Sequence, residues 1–211
     1  MTTKDQTKQP LRSTPGKSQR RQKPVEAYQL KIVLTGSKPA IWRRFVVPGE
    51  TRLDRLHDVI QVVMGWTDSH LHLFEIGGRT FAEEPEEAWE GAEERGYRLC
   101  DLIHKANVGF SYQYDFGDGW EHTLVVEKIT SAPPGHGVHT MCLEGKQHCP
   151  PEDVGGLDGY AQFLKAYRNS RHEDYEQYHN CAGDDFDPKA FDVNTVNLEL
   201  RKLERWSRGR Q

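Results

Sequence analysis

The chain has 211 residues, a formal net charge of −4 and 36% hydrophobic side chains, which suits one soluble domain with a real core. No run approaches the roughly 20 apolar residues of a membrane span, and no apolar stretch follows the basic N-terminus as in a secretory signal. The four cysteines include no C-x-x-C pair, so we expect reduced thiols and a cytoplasmic location.

Residues 1–26 are predicted to form a disordered basic tail ahead of a single domain at 27–206. Residues 1–27 contain seven Lys or Arg against Asp5 and Glu26, and too few large apolar groups to offset the entropy of ordering. Such a tail could contact nucleic acid. It lacks interleaved aromatic residues, however, so a solvated extension is favoured over a binding arm. The partner is therefore left open between a protein and a nucleic acid.

The first predicted elements are two strands and a helix. Alternating apolar residues predict strands at 28–35 and 41–47, joined as an antiparallel hairpin. Thr51 is expected to begin a helix with Asp54 as its capping partner. Apolar residues at helical spacing then continue to Gly65, which is expected to end the helix.

The middle of the chain alternates short strands with charged sequence. A strand is predicted at 71–76, and Gly77–Gly78 is expected to turn it into a partner at 79–81. Residues 83–95 are predicted to be an acidic loop, because seven glutamates lie within twelve residues. Residues 99–104 are expected to form a short helix.

The clearest hairpin is predicted at 110–116 and 120–129, around a Gly-Asp-Gly turn. Residues 131–156 are expected to be irregular. Three more helices are predicted, at 157–167, at 172–178 and from Asp187-Pro188 to about Trp206. Together these elements predict an α+β fold: a mostly antiparallel sheet built from hairpins, with helices packed on one face.

Four sequence segments together resemble a known family. They are LHDVIQ at 56–61 with MGW at 64–66, HLH at 70–72, YQYDFGDGWEH at 112–122 and CPPEDVGG at 149–156. They are similar to the Ri-plasmid (pRiA-type) Orf-three-like family, whose members are sometimes labelled TnpR-type transposon passenger proteins or resolvases. The resemblance spans roughly residues 27–203. It implies an α+β domain associated with mobile elements, and it brings no assigned biochemical activity.

The residues do not support the resolvase label. A tyrosine recombinase needs an H-x-x-R element, and none of the ten histidines has arginine three positions later. No phosphate-binding glycine loop is present either. The leading hypothesis is therefore a mobile-element-associated accessory or binding module that is not an enzyme.

The alternative hypothesis is a hydrolase-like enzyme that uses a metal or a His/Asp pair. Its candidate catalytic residues are Asp115, Asp118 and His122, on and beside the predicted hairpin turn. Asp118 is explained more simply as a turn residue, because aspartate tolerates the left-handed conformation and bonds its own backbone. His122 shares a strand face with Trp120 and Leu124, so it is expected to be partly buried, where an imidazole needs partners.

The candidate cofactor is zinc. Thiolates and imidazoles are natural zinc ligands, and Cys142, Cys149 and His122 form the candidate metal set. The spacing between the two cysteines matches no standard zinc motif. The alternative is that both are small buried core residues, as free cysteines often are.

The candidate binding residues come from several predicted elements: His57, His72, Trp120, Glu152 and Asp153. His72 is expected to share a strand face with His70. A pocket would form if His57, His72 and His122 met across helix and sheet. Glu152 and Asp153 precede a predicted helix, whose N-terminus favours acidic side chains.

Overall fold

The strands and helices of the chain alternate along the sequence. The structure is a computed structural model that describes residues 24–84, 91–133, 136–183 and 185–208. The strands are β1 (Val25–Leu34), β2 (Trp42–Pro48), β3 (His72–Ile76), β4 (Arg79–Ala82), β5 (Ala92–Glu93), β6 (Val108–Tyr114), β7 (Trp120–Ala132) and β8 (Met141–Lys146). The helices are α1 (Leu53–Met64), α2 (Leu99–Leu102), α3 (Gly156–Tyr167), α4 (Tyr175–Ala182) and α5 (Val193–Arg208).

All eight strands join one sheet in the order β5-β4-β3-β6-β7-β1-β2-β8. Every pairing is antiparallel except that of β4 with the short β5. The predicted α+β fold with a mostly antiparallel sheet is confirmed. Hairpins explain this topology, because consecutive antiparallel strands need only short connections.

One face of the sheet carries the core. Along β1, four alternate residues are fully buried and the residues between them are only partly buried. The buried residues are Tyr28, Leu30, Ile32 and Leu34. Burying each large apolar side chain contributes roughly 1.5–3 kcal/mol. The buried stripe of α1 covers this face and also contacts α5, so helices and sheet enclose a single core.

The β6–β7 hairpin positions the polar residues considered below. Tyr112 pairs with His122 and Tyr114 with Trp120, and all four side chains point into the core. On the other side of β6, His72 of β3 pairs with Tyr114. The predicted strand at 110–116 ends early at Tyr114, because the next residue has a left-handed backbone with φ of 53°.

The ends of α1 follow the sequence only in part. Gly65 ends the helix as predicted, with φ of 101° and its N–H donated to the Gln61 carbonyl. The predicted capping box of Thr51 and Asp54 does not form, since the N-cap is Arg52. Instead, the Asp54 carboxylate accepts two hydrogen bonds from the Arg52 guanidinium, at 2.9 and 2.6 Å.

Two predictions in the C-terminal half are wrong. The stretch predicted to be irregular contains β8, which pairs with β2 at the sheet edge. The last helix begins at Val193 and not at Pro188, because Asp192 supplies the cap by accepting hydrogen bonds from Asn194 and Thr195. Asp187 forms only a local turn with Lys189.

The predicted tail lies almost entirely outside the described residues, which begin at Pro24, and residues 85–90 of the predicted acidic loop lie outside them too. The described end of the acidic segment is ordered: it contains β5 and a 3₁₀ turn at Glu94–Gly96. Glu94 is buried, so this part of the segment is not an exposed loop. Among the described residues, no helix combines the length and apolar character needed to cross a membrane.

Candidate metal centre

Tyr112 of β6 stands at the centre of a buried polar layer. Its hydroxyl lies 2.8 Å from His57 Nδ1 and accepts a hydrogen bond from Gln61 Nε2 at 3.1 Å. On the other side of the imidazole, His57 Nε2 lies 2.7 Å from Asp68 Oδ1. A neutral His57 with its hydrogen on Nε2 satisfies all these groups, since it accepts from tyrosine and donates to the carboxylate.

His57 and His72 meet as a stacked pair, here called the histidine stack. Their ring centroids are 3.5 Å apart and their planes differ by 5°. His72 Nε2 lies 2.9 Å from Glu94 Oε2, and both side chains are buried. Each imidazole thus has its own carboxylate, Asp68 for one and Glu94 for the other, as buried polar groups require.

His122 is the third histidine that packs around Tyr112. The ring centroids of His122 and Tyr112 are 5.5 Å apart. Its Nδ1 donates to the Tyr112 carbonyl at 3.2 Å, and its ring meets the Trp66 ring edge to face. Burial lowers the pKa of His122 to about 3, because the imidazolium cannot be solvated there. The His122 imidazole is therefore neutral and enclosed in the core near neutral pH.

The stability of the protein is expected to fall in acid partly because of His122. The pKa of this imidazole is about 3 in the folded protein and 6.5 when it is freely solvated, so only the unfolded chain is protonated between those values. Stability is therefore lost as the pH falls from 6.5, by up to about 1.4 kcal/mol per pH unit. Urea unfolding between pH 7 and 4 measures this slope. His122→Phe should flatten it, and an unchanged slope would contradict the assignment.

A second polar cluster, here called the acidic centre, consists of His70, Asp115, Glu152 and Asp153. His70 Nε2 lies 3.1 Å from Asp153 Oδ1, 3.6 Å from Asp115 Oδ2 and 3.9 Å from Glu152 Oε2. The ligand atoms of His70, Asp115 and Asp153 all fall within 4.8 Å of one another. His70 Nε2 and Glu152 Oε2 are buried atoms that form no hydrogen bond within the protein.

The turn after β6 aims Asp115 at this centre. The left-handed backbone at Asp115 turns its side chain inward, where Oδ1 accepts hydrogen bonds from the N–H groups of Gly117 and Asp118. The other oxygen, Oδ2, is left facing His70. Regular strand alternation would put Asp115 on the face opposite the buried Tyr114, but the left-handed backbone at Asp115 turns its side chain into the core.

The loop before α3 brings the remaining carboxylates. Asp118 Oδ2 accepts a hydrogen bond from the Gly155 N–H at 3.0 Å, and a Cβ at Gly156 would lie 2.5 Å from the Asp118 carbonyl oxygen. Only glycine permits this close contact between the hairpin turn and the loop. Glu152 Oε1 accepts from the Thr67 N–H and the Tyr114 hydroxyl, which leaves Oε2 directed at His70.

The donor set of the acidic centre suits a divalent metal ion. Imidazole nitrogen and carboxylate oxygen are ligands for zinc and manganese, and carboxylates also suit magnesium. A metal with bonds of about 2.0–2.2 Å places its ligand atoms roughly 3 Å apart. The distance from His70 Nε2 to Asp153 Oδ1, 3.1 Å, is already close to that value, whereas Asp115 and Glu152 lie at 3.6 and 3.9 Å and would move inward to bind the ion. Asp153 is 76% exposed, so an ion held here would face solvent.

Comparison with known proteins places the fold in a family. The family model described as plasmid pRiA4b ORF-3-like protein matches residues 26–195. The chain belongs to this family. The resemblance predicted from the sequence segments is therefore confirmed. It covers most of the sheet, the histidine stack and the acidic centre.

Two relatives of this ORF-3-like protein extend the comparison. Uncharacterized protein y4hQ of Sinorhizobium fredii (strain NBRC 101917 / NGR234) is 39% identical over 185 residues, covering 85% of this chain and 94% of the relative. The crystal structure of a protein of unknown function, MM3350 from Methanosarcina mazei Go1, has a TM-score of 0.72 at 36% identity. That comparison covers 82% of this chain and 98% of the solved one.

The structure does not bring together the zinc set predicted for this ORF-3-like protein. Within the described residues, one group of three or more side chains could hold a metal ion, and it consists of His70, Asp115 and Asp153 of the acidic centre. It includes none of Cys142, Cys149 and His122. Burial raises the pKa of the Cys142 thiol to about 11 and raises that of Cys149 further. Both are buried residues of the core, as the alternative explanation for the two cysteines expects.

The other candidates divide between core and site. Trp120 is 1% exposed and packs beside Trp66, so it offers no binding surface. Asp118 joins two loops and does not belong to the metal-capable group. Asp115, Glu152 and Asp153 meet in the acidic centre, and His57 meets His72 in the histidine stack.

Two residues of these sites were missed by the sequence reasoning. The sequence predicts that His70 and His72 share a strand face, but β3 begins only at His72 and the two side chains point to different clusters. Glu94 falls in the predicted acidic loop at 83–95, yet it is buried. No local signal distinguishes it from its neighbours, because its burial depends on packing against the distant His72.

Proposed function

We propose that this ORF-3-like protein is an accessory module that binds a divalent metal ion at the acidic centre. The observation that carries the proposal is the buried, unbonded Nε2 of His70, which faces carboxylate oxygens of Asp115, Glu152 and Asp153 within 3.9 Å. Buried polar atoms without a hydrogen-bond partner are rare in folded proteins, so the unbonded His70 Nε2 needs an explanation. A metal ion satisfies the imidazole and the carboxylates together.

Charge supports a cation as the ligand. Three carboxylates converge on one imidazole, and no Lys or Arg of the described residues forms an ion pair with any of the three. The competing explanation is a protonated His70 that serves as the only counter-ion. Metal titration separates these two explanations directly, because a structural ion pair needs no added metal.

Metal binding is expected to depend on Asp115. After treatment with a chelator, calorimetric titration with Mn²⁺ or Zn²⁺ should give one site, and saturating metal should raise the thermal unfolding midpoint. Asp115→Asn keeps an oxygen to accept from the turn N–H groups but replaces a ligand oxygen. It should weaken binding by more than the roughly 10–100-fold typical of outer-shell changes.

Glu121→Gln is the matched control, since this exposed carboxylate lies on the same hairpin and points away from the acidic centre. It should bind metal like the unaltered protein. The proposal is wrong if Asp115→Asn binds Mn²⁺ and Zn²⁺ as tightly as the unaltered protein does. It is also wrong if the unaltered protein binds neither metal.

A second candidate function is metal-dependent hydrolysis, and the exposure of Asp153 favours it. A metal at the rim of the protein keeps positions for water, whose pKa it lowers. The same metal-loaded samples can be assayed with nitrophenyl esters and phosphodiesters. Turnover that Asp115→Asn abolishes would favour an enzyme, whereas saturable metal binding without turnover would favour the accessory module.

A further inference from the structure

The loop that leads into His70 is held at three consecutive backbone N–H groups. Thr67 donates to Glu152 Oε1 at 2.9 Å, Asp68 donates to Gln61 Oε1 at 2.9 Å, and Ser69 donates to the Tyr114 hydroxyl at 3.0 Å. The three acceptors come from the loop before α3, from α1 and from β6. The path of the chain up to His70 is therefore fixed by packed elements.

Of the three residues held in this way, Asp68 alone has a left-handed conformation, with φ of 57°. Its carboxylate accepts the 2.7 Å hydrogen bond from His57, although the side chain itself is 58% exposed. Asp68 lies in the turn two residues before His70. The backbone angles at Asp68 therefore set the direction in which the chain reaches the His70 ring.

His57 is itself held on every side. Tyr112 contacts its Nδ1, the His72 ring stacks on its face, and His72 is bonded to the buried Glu94. A ring packed in this way has one orientation available, so the position of its Nε2 is fixed. The histidine stack thus fixes the position of the hydrogen-bond donor to Asp68.

We propose that Asp68 and His57 are positioning residues for the metal centre. The hydrogen bond between them holds Asp68 in its left-handed conformation and thereby directs His70 Nε2 at the three carboxylates. This inference rests on the proposed metal-binding function, and it assigns a role to a buried cluster that does not touch the metal. Outer-shell partners of this kind orient the ligands of many metal sites.

The test uses two substitutions that both tolerate a left-handed backbone. Asparagine and glycine populate this region readily, so neither adds strain at Asp68. Asp68→Asn keeps the oxygen that accepts from His57 and should retain the metal affinity. Asp68→Gly loses that acceptor and should weaken Mn²⁺ or Zn²⁺ binding by about 10–100-fold.

Thermal unfolding without metal separates positioning from a purely structural role. Asp68→Asn should keep the metal-free midpoint close to that of the unaltered protein, whereas Asp68→Gly removes the acceptor of the buried His57 Nε2–H and should lower it. Metal affinity is therefore compared at a temperature where every variant is fully folded, and only the positioning role predicts that Asp68→Gly binds more weakly there. The double variant His57→Phe with Asp68→Gly should bind metal no more weakly than His57→Phe alone, because the two residues act through one hydrogen bond.

The outcomes separate the two proposals. If the unaltered protein binds no metal, the proposed function fails. If the unaltered protein binds metal and Asp68→Gly binds it equally well, the metal centre stands and the positioning role is overturned. A lowered metal-free midpoint with unchanged affinity would also overturn it.

Discussion

Replacing Trp120 by alanine is expected to lower the free energy of unfolding by about 3–5 kcal/mol, as for other large aromatic residues in protein cores. Among the residues that the structure describes, Trp120 is the largest fully buried side chain, at 1% exposure. Its ring packs against Trp66, which in turn contacts Tyr114 and His122. The truncation would leave a cavity directly beneath the polar layer.

Chemical denaturation measures this loss. Trp206→Ala is the control, since that indole lies on α5 and is 49% exposed. It should cost much less than Trp120→Ala. Similar losses for both variants would show that Trp120 does not anchor the core.

The second large effect is expected at Arg43, whose charged side chain is buried at 2% exposure. Its guanidinium donates to the carbonyls of Val63, Trp42 and Lys146 and stacks on the Phe191 ring at 4.2 Å. Burial lowers the pKa of Arg43. The carbonyl at the end of α1 compensates for the charge, because the C-terminus of a helix carries partial negative charge.

Arg43→Ala should therefore destabilise the protein by about 3 kcal/mol or more, since it leaves a cavity and three carbonyls without their donor. The adjacent Arg44 offers a matched control. It lies on the other face of β2 and pairs at the surface with Glu127 and Glu144. Arg44→Ala should cost about 1 kcal/mol or less. Equal losses in denaturation would contradict this account.

The elements with strong periodicity could be predicted from the sequence. The β6–β7 hairpin and the body of α1 follow from alternation and from helical spacing, because burial on one face selects those patterns. β8 lacks such a pattern, since Cys142 is its one fully buried side chain. The start of α5 was misplaced because Asp187-Pro188 has the same cap chemistry that Asp192 supplies in the structure.

The candidate site could be predicted only in part. Asp115, Glu152 and Asp153 lie in the motif segments, but no local sequence pattern indicates that their side chains converge. Convergence depends on the left-handed backbone at Asp115 and Asp153, which strand alternation does not reveal. His70 joins them because β3 begins only at His72, which leaves His70 in the preceding turn and free of the alternation along the strand.

The donors of the acidic centre come from three segments that are far apart in the sequence: the turn before β3, the turn after β6 and the loop before α3. An ion bound to all three would close two long loops of the chain, much as a pair of cross-links does. An unfolded chain that kept the ion bound at all three segments would lose the entropy of these two loops. The native fold already brings the segments together, so the ion would favour the native topology. Amide hydrogen exchange would then slow in all three segments together when metal is added.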